Sequence, residues 1–425
     1  MQQAIPKRIT DKKHVSMLVL LCSVVYFTSY LTRVNYKAVL SEFEKATNTP
    51  DELASIALTG LFITYGLGQL VSGWLGDRIK PRYLMTLGML VSSLMNILLP
   101  LNVNPVYMTV VWCINGFGQA MMWPPIVKTL TNHLTSEAYI DASVKVSWGS
   151  AVGTIAVYLI SPFIISVFND WRMVFYASAV LGLVGAALTF FGLKRIEVYA
   201  DKHGVIPPAE TAAVPQKDGK NGLSLPKSFY PLLGVILLAI VLQGVLRDGI
   251  DTRMPFFFQD NYGTPVDKSI LTAVILPIFA FISYSVTEWI YKHFFKNEMI
   301  CSAVVFGVGI VFLLPLTLLA NPALGTFGTV ASVICFAFGV ASMHAVNLVL
   351  ITFVPRRFKK YGNIGTMSGV LNFATYVGSA LSGYGFAALI KHLGWTWTIL
   401  IWVFIAAAGL ICCLLSAKAW KKFTE

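Results

Sequence analysis

Apolar residues run in blocks of about twenty or more along most of the chain, separated by short polar breaks, and a helix needs a block of that length to cross a hydrocarbon layer of about 30 Å. Breaking the blocks at charged, proline and glycine clusters predicts twelve membrane-spanning helices. Six fall at residues 15–40, 53–75, 82–101, 106–128, 142–167 and 171–193. A polar stretch, 194–227, then interrupts the pattern with Pro207, Pro208, Pro215, Gly219 and Gly222 among scattered charges, and reads as a linker. Six further spans follow at 228–250, 265–291, 300–319, 322–354, 362–389 and 395–417. The expected fold is an all-α membrane protein whose twelve transmembrane helices form two six-helix bundles, residues 1–193 and 228–425, joined by a cytoplasmic linker.

Composition removes the competing classes. The 425 residues are 56% hydrophobic and only 12% charged, about half the charged fraction of a water-soluble domain. A soluble enzyme, a secreted disulfide scaffold and a nucleic-acid binder are all disfavoured, because the formal charge of +12 sits in membrane-flanking loops and not in a basic groove. With the amino terminus inside, 23 of the 32 Lys and Arg residues fall on the inner side, five on the outer side and four within spans. One missed or invented span would swap the side of every later loop, so both termini are expected in the cytoplasm. The six cysteines lie within predicted spans with no CxxC pair and no histidine set at metal spacing, so no disulfide, metal or other cofactor is expected. The amino-terminal apolar stretch is too long for a signal peptide and has no small-residue cleavage site after it, which makes it a retained span in a plasma membrane or bacterial inner membrane.

A weak internal repeat relates the two halves. Trp148-Gly-Ser-Ala-Val-Gly153 precedes Asn169-Asp-Trp171 by about the distance that separates Asn372 to Gly378 from Gly394-Trp395. Each half also opens with a helix carrying one arginine within the span, Arg33 and Arg247. Arginine at membrane depth costs at least a few kcal/mol unless it faces protein or water, and its charge cannot be removed near neutral pH. Each therefore needs an anion, and two guanidinium groups match a phosphate or carboxylate with two-pronged geometry. Two similar halves about an axis normal to the membrane would turn spans 1 and 7 toward a central cavity. The competing reading has Arg33 snorkelling outward and Arg247 pairing locally with Asp248 or Asp251.

Gly73-Trp-Leu-Gly-Asp-Arg78 lies between spans 2 and 3 and resembles the signature of the major facilitator superfamily at this loop. There Gly73 and Gly76 allow close helix approach, and Asp77 can accept from a helix amino terminus or an arginine, so with Arg78 the segment reads as a latch. The matching region of the second half, Glu288-Trp-Ile-Tyr-Lys292, keeps one acid and one base without the glycines. Within that superfamily the chain resembles the organophosphate:phosphate antiporters, the group of glycerol-3-phosphate and hexose-phosphate exchangers. The resemblance rests on Tyr30-Leu-Thr-Arg33-Val-Asn35, Asn115-Gly-Phe-Gly-Gln119 with Trp123-Pro-Pro125, Asn169-Asp-Trp171 and Leu246-Arg247-Asp-Gly249. It implies that Arg33 and Arg247 hold a substrate phosphate. Gln69 stands where the glycerol-3-phosphate exchanger has a lysine, and Val152 where it has a histidine, so glycerol-3-phosphate itself fits poorly.

Other candidates surround the arginines. Lys37 shares the helix face of Arg33 one turn on, where it either adds positive potential or reaches for headgroups. Tyr30 and Asn35 offer hydrogen bonds to an anion or sugar. Gln243 lies one turn before Arg247, and His344 is a substrate or proton-linked candidate whose alternative is an interhelical bond. Paired Pro124 and Pro125 are expected to bend a helix end, and Trp395, Trp397, Trp402 and Trp420 to form an interfacial belt.

The function expected is secondary transport, not enzymatic catalysis: alternating access moves a small organic anion, a phosphorylated metabolite, in exchange for inorganic phosphate. Two bare guanidinium charges would make an empty carrier reorient poorly, which favours exchange. The alternatives are proton-coupled symport of a carboxylate and a transporter-like sugar-phosphate sensor. The expected partners are that anion and the lipid bilayer, with no nucleic acid, and each chain is expected to work as a monomer.

Overall fold

A computed structural model describes residues 7–48, 51–205, 225–226, 229–264, 275–361 and 364–424. The middle of the expected linker and the opening of the expected eighth span, 265–274, lie outside the described residues. Backbone contacts divide the chain into two units, Met1–Ser224 with Pro355–Val370, and Leu225–Val354 with Leu371–Glu425. Residues 355–370 therefore belong with the first unit, unlike the division expected from the linker.

The first unit is built from α1 (Lys12–Thr47), α2 (Asp51–Gly76), α3 (Pro81–Leu98), α4 (Pro105–Gln119), α5 (Trp123–His133), α6 (Ser136–Phe168) and α7 (Arg172–His203). The starts of these helices follow from local chemistry. Asp11 accepts the His14 amide at 3.1 Å, Asn104 accepts from Val106 and Tyr107 with Pro105 opening the helix, and Thr135 accepts from Ala138. At Asn48 and Asn169 the backbone turns left-handed and ends α1 and α6, a conformation asparagine tolerates better than most residues. The expected fourth span is two helices. Pro124 and Pro125 occupy the first turn of α5, where a missing N–H costs nothing, so they open a new helix and do not bend an old one.

Helix packing in this unit depends on small residues and buried amides. α1 packs against α6 and α7, and α2 against α4. At the α1–α6 crossing a side chain on Gly149 would meet the Ser23 carbonyl at 2.7 Å, and one on Gly153 the Phe27 carbonyl at 2.9 Å, so only glycine permits this approach. Tyr36, Phe43, Trp112, Trp171 and Phe175 pack together as one aromatic cluster.

The second unit contains α8 (Tyr230–Tyr262), α9 (Ile275–His293), α10 (Glu298–Leu313), α11 (Gly325–Asn347) and most of α12 (Ile364–Thr424). α11 runs on through a π-helical turn, Leu348–Phe353, into a 3-10 segment, Pro355–Tyr361. α12 is broken at Gly394, whose φ of 77° and ψ of 177° are available essentially to glycine alone. The internal repeat is visible in the packing. Gly378 of α12 abuts the Val241 carbonyl of α8, as Gly149 and Gly153 of α6 abut α1, and Trp395 lies 5.1 Å from Phe257 as Trp171 lies 5.2 Å from Phe43.

Among the described residues nine helices are long and apolar enough to cross a membrane. The other three expected spans fall in the α4–α5 pair, in α9 and in α12 before Gly394. The expected tryptophan belt is not what forms: Trp402 and Trp420 are fully buried and Trp395 nearly so, leaving Trp397 exposed. Trp395 donates to Asp260 at 3.0 Å and Trp420 to the buried Glu298 at 2.8 Å, so both indoles join helices.

Gly394 has open space around it, so a methyl group there would strain only the backbone. Gly394→Ala is expected to cost about 1–3 kcal/mol, read as a lower thermal midpoint of the purified protein. Gly385→Ala, at an open helical position, should leave the midpoint unchanged or raise it slightly. Equal midpoints for the two variants would contradict the assignment.

Candidate functional site

In the first unit the arginine of α1 is enclosed by aromatic rings. Arg33 is 8% exposed, and its guanidinium carbon lies 4.3 Å from the centre of the Tyr30 ring and 4.9 Å from that of Tyr65. Ring faces stabilise a partly desolvated cation by about 0.5–2 kcal/mol each. Tyr65 lies on α2, one turn before Gln69, and the family motifs did not point to it; its place on the face of Gln69 is the signal that was available. Lys37 is exposed one turn beyond Arg33.

Asn35 and Gln69 both hydrogen-bond to residues outside their own helices. Asn35 is fully buried and donates to Asn96 at 2.6 Å. Asn96 and Asn115 both donate to the Thr32 carbonyl, Ser92 donates to Asn115, Gln119 donates to Ser92 and Thr32, and Ser29 donates to Gln119. The residues that carried the span-4 motif are thus an interhelical polar network tying α1, α3 and α4 behind the arginine. Such a network specifies one packing when every member is satisfied. Gln69 is fully buried, donates to the Ala120 carbonyl, and sits where α2 meets the start of α12. Val152 is 46% exposed on α6.

In the second unit Arg247 is held by a carboxylate. Its Nε donates to Asp248 Oδ1 at 2.6 Å and its Nη2 to Oδ2 at 2.8 Å, a two-pronged ion pair. Ser379 of α12 donates to the same Oδ2, and the Tyr376 ring lies 6.0 Å from the guanidinium carbon. Arg247 is thus locally neutralised, as the competing reading of the sequence had it. Gln243 is buried, donates to the Met343 carbonyl at 3.0 Å and accepts from Asn347. His344 of α11 is partnered with the Tyr284 hydroxyl of α9 at 3.4 Å. Both side chains therefore serve helix contacts of α8, α9 and α11.

At the α2–α3 turn Asp77 accepts from the Gly365 amide at 2.9 Å, the Thr366 amide at 2.7 Å and the Thr366 hydroxyl at 2.6 Å. The carboxylate caps the first turn of α12, where free N–H groups and the helix dipole favour negative charge. Gly73 lies against the backbone of Gly365 and Gly369. Buried Lys128 donates to the Gly76 carbonyl at the carboxyl end of α2. Arg78 folds back onto Trp74, 3.9 Å from its ring, and Arg82 pairs with Glu197 at 2.8 Å. Glu288 pairs with Lys292 on its own helix at 2.8 Å. Near this turn burial pushes the His133 imidazole down, which keeps it neutral beside the Lys7 carbonyl. Among the described residues no group of acids, histidines and cysteines is arranged to hold a metal.

Residues 22–383 match the protein family described as Major Facilitator Superfamily. The chain is 23% identical over 397 residues to the glycerol-3-phosphate transporter of Bacillus subtilis, covering 87% of this chain and 85% of that protein. It is 21% identical over 431 residues to a probable hexose phosphate transport protein of Chlamydia trachomatis, covering 93% and 89%. It is also 21% identical over 410 residues to the membrane sensor protein UhpC of Escherichia coli, covering 92% and 89%. Its fold matches the solved proton:xylose symporter XylE with a TM-score of 0.70 at 13% identity, covering 96% of each chain.

Hydrogen bonds to a charged acceptor contribute about 1.5–3 kcal/mol. Asp77→Asn keeps one acceptor oxygen and turns an NH2 group toward donors, so it should lower the thermal midpoint clearly. Thr366→Val, which removes one of the three bonds, should lower it less. An Asn variant as stable as the parent would refute the capping role.

Proposed function

From the premise that this chain belongs to the Major Facilitator Superfamily, with the twelve-helix fold of two six-helix bundles, we propose that it is a secondary transporter of phosphorylated metabolites that exchanges them for inorganic phosphate. The observation that carries this reading is Arg33, a permanent cation on a membrane-spanning helix, 8% exposed and faced by two tyrosine rings. A cation so placed calls for an anion, and a phosphate monoester offers it two oxygens in one plane. Arg247, on the first helix of the other unit, is the second proposed anion-binding group. Full-length similarity to proteins named for glycerol-3-phosphate and hexose phosphate supports a substrate of that class.

In this reading the protein works by alternating access, driven by the gradients of its substrates, with both termini in the cytoplasm and one chain as the working unit. The Asp77 cap and the glycines at the α2–α3 turn serve as the gate. Gln69 and Val152 give the surroundings a selectivity different from that of the glycerol-3-phosphate exchanger. Similarity to a membrane sensor supports a second reading, in which a sugar phosphate is bound without being moved.

Counterflow into phosphate-loaded proteoliposomes, with a panel of phosphorylated and non-phosphorylated acids, tests these readings together. Uptake of a phosphorylated acid that internal phosphate strongly accelerates is the expected result. Arg33→Lys and Arg247→Lys should each reduce it by at least about 30-fold, since a lysine keeps charge but loses the planar fork. Near-normal uptake in either variant contradicts the anion-binding role, and ligand binding with no flux selects the sensor.

A further inference from the structure

Arg247 and Asp248 are adjacent in sequence, and neighbouring residues on a helix ordinarily point apart by about a quarter turn or more. Here the two side chains turn to one another and both carboxylate oxygens lie on the Nε–Nη2 edge of the guanidinium, at 2.6 and 2.8 Å. A bound phosphate or carboxylate would take the same edge in the same way. Ser379 of α12 donates its single hydroxyl proton to Asp248, so the carboxylate is steered from a second helix. The arginine side chain is 12% exposed and the aspartate 33%, which puts the carboxylate on the wetter side of the pair. Between Lys12 and Leu40 the helix of Arg33 carries no acid of its own.

We propose that Asp248 is a built-in counter-ion that takes the place of the substrate anion on Arg247 when the carrier is empty, with Ser379 as the residue that positions it. This rests on the reading of Arg247 as an anion-binding group. An incoming phosphate displaces the carboxylate, whose partial exposure gives it water to turn into. An empty carrier then crosses the membrane with Arg247 already neutralised, which lowers the charge it must desolvate. Net flux therefore accompanies exchange in the native protein. Without the carboxylate the empty form is arrested, and the protein becomes a strict exchanger that binds phosphate more tightly.

The test uses full-length protein and inorganic phosphate as the probe. In labelled-phosphate-loaded proteoliposomes, Asp248→Asn should lower the ratio of net efflux to phosphate exchange at least about tenfold, and Ser379→Ala should lower it by a smaller factor. In detergent without phosphate, Asp248→Asn should lower the thermal midpoint by at least about 5 °C. Phosphate should restore more of that midpoint than it adds to the parent. Adding Arg247→Gln to Asp248→Asn makes the pair neutral and should recover the midpoint without phosphate, which separates loss of a counter-ion from general damage. An Asn variant with an unchanged midpoint and an unchanged flux ratio overturns the counter-ion. If the parent moves no phosphate yet the Asn variant is destabilised and rescued as described, the counter-ion stands and the proposed transport function falls.

Discussion

A guanidinium group cannot shed its charge, so an arginine on a membrane-crossing helix must be met by something that stabilises a cation. Insertion of such a residue at the centre of a bilayer costs about 3 kcal/mol even when the side chain can relax. This chain meets the requirement twice and in two different ways. Arg33 lies against the Tyr30 and Tyr65 rings, and Arg247 is forked by Asp248 with Ser379 behind it. Much of the remaining architecture holds those two settings in place. The amide and hydroxyl network of Asn35, Asn96, Asn115 and Gln119 fixes α1 against α3 and α4 just beyond Arg33, while glycines bring α6 to α1 and α12 to α8.

The difference between the two arginines bears on coupling. A cation already paired must exchange one carboxylate for another anion, and the gain is the difference between the two. In the proposed reading, Asp248 brings the occupied and empty forms of its unit closer in energy.

The spans, their number and the internal repeat were readable in the sequence because they depend on run length and spacing, which no tertiary contact can alter. The Asp77 cap was readable for a related reason, since a carboxylate between two glycine-marked helix ends has few donors to choose from. What periodicity cannot tell is which neighbouring helix lies against a given face. Asn35 and Gln243 stand close to their arginines along the chain, and their side chains bond to Asn96 and to the Met343 carbonyl on other helices. Tyr65 was overlooked because it stands on a different helix from Arg33. Trp402 and Trp420 were expected at the membrane interface from their position near helix ends, but the second unit's aromatic core and the buried Glu298 draw them inward. The prolines at 124 and 125 were expected to bend a helix; the three residues before Trp123 leave the helical ladder, so they begin one.

The most direct measurement is a double-mutant cycle for inorganic phosphate binding to the purified protein, using Arg33→Lys, Arg247→Lys and the combination. If both arginines hold the anion, each single change weakens binding strongly and the combined loss departs from the sum of the two by about 0.5–3 kcal/mol. Affinity unchanged by either substitution, or losses that simply add, would contradict a shared anion and remove the basis for assigning this transporter a phosphorylated substrate.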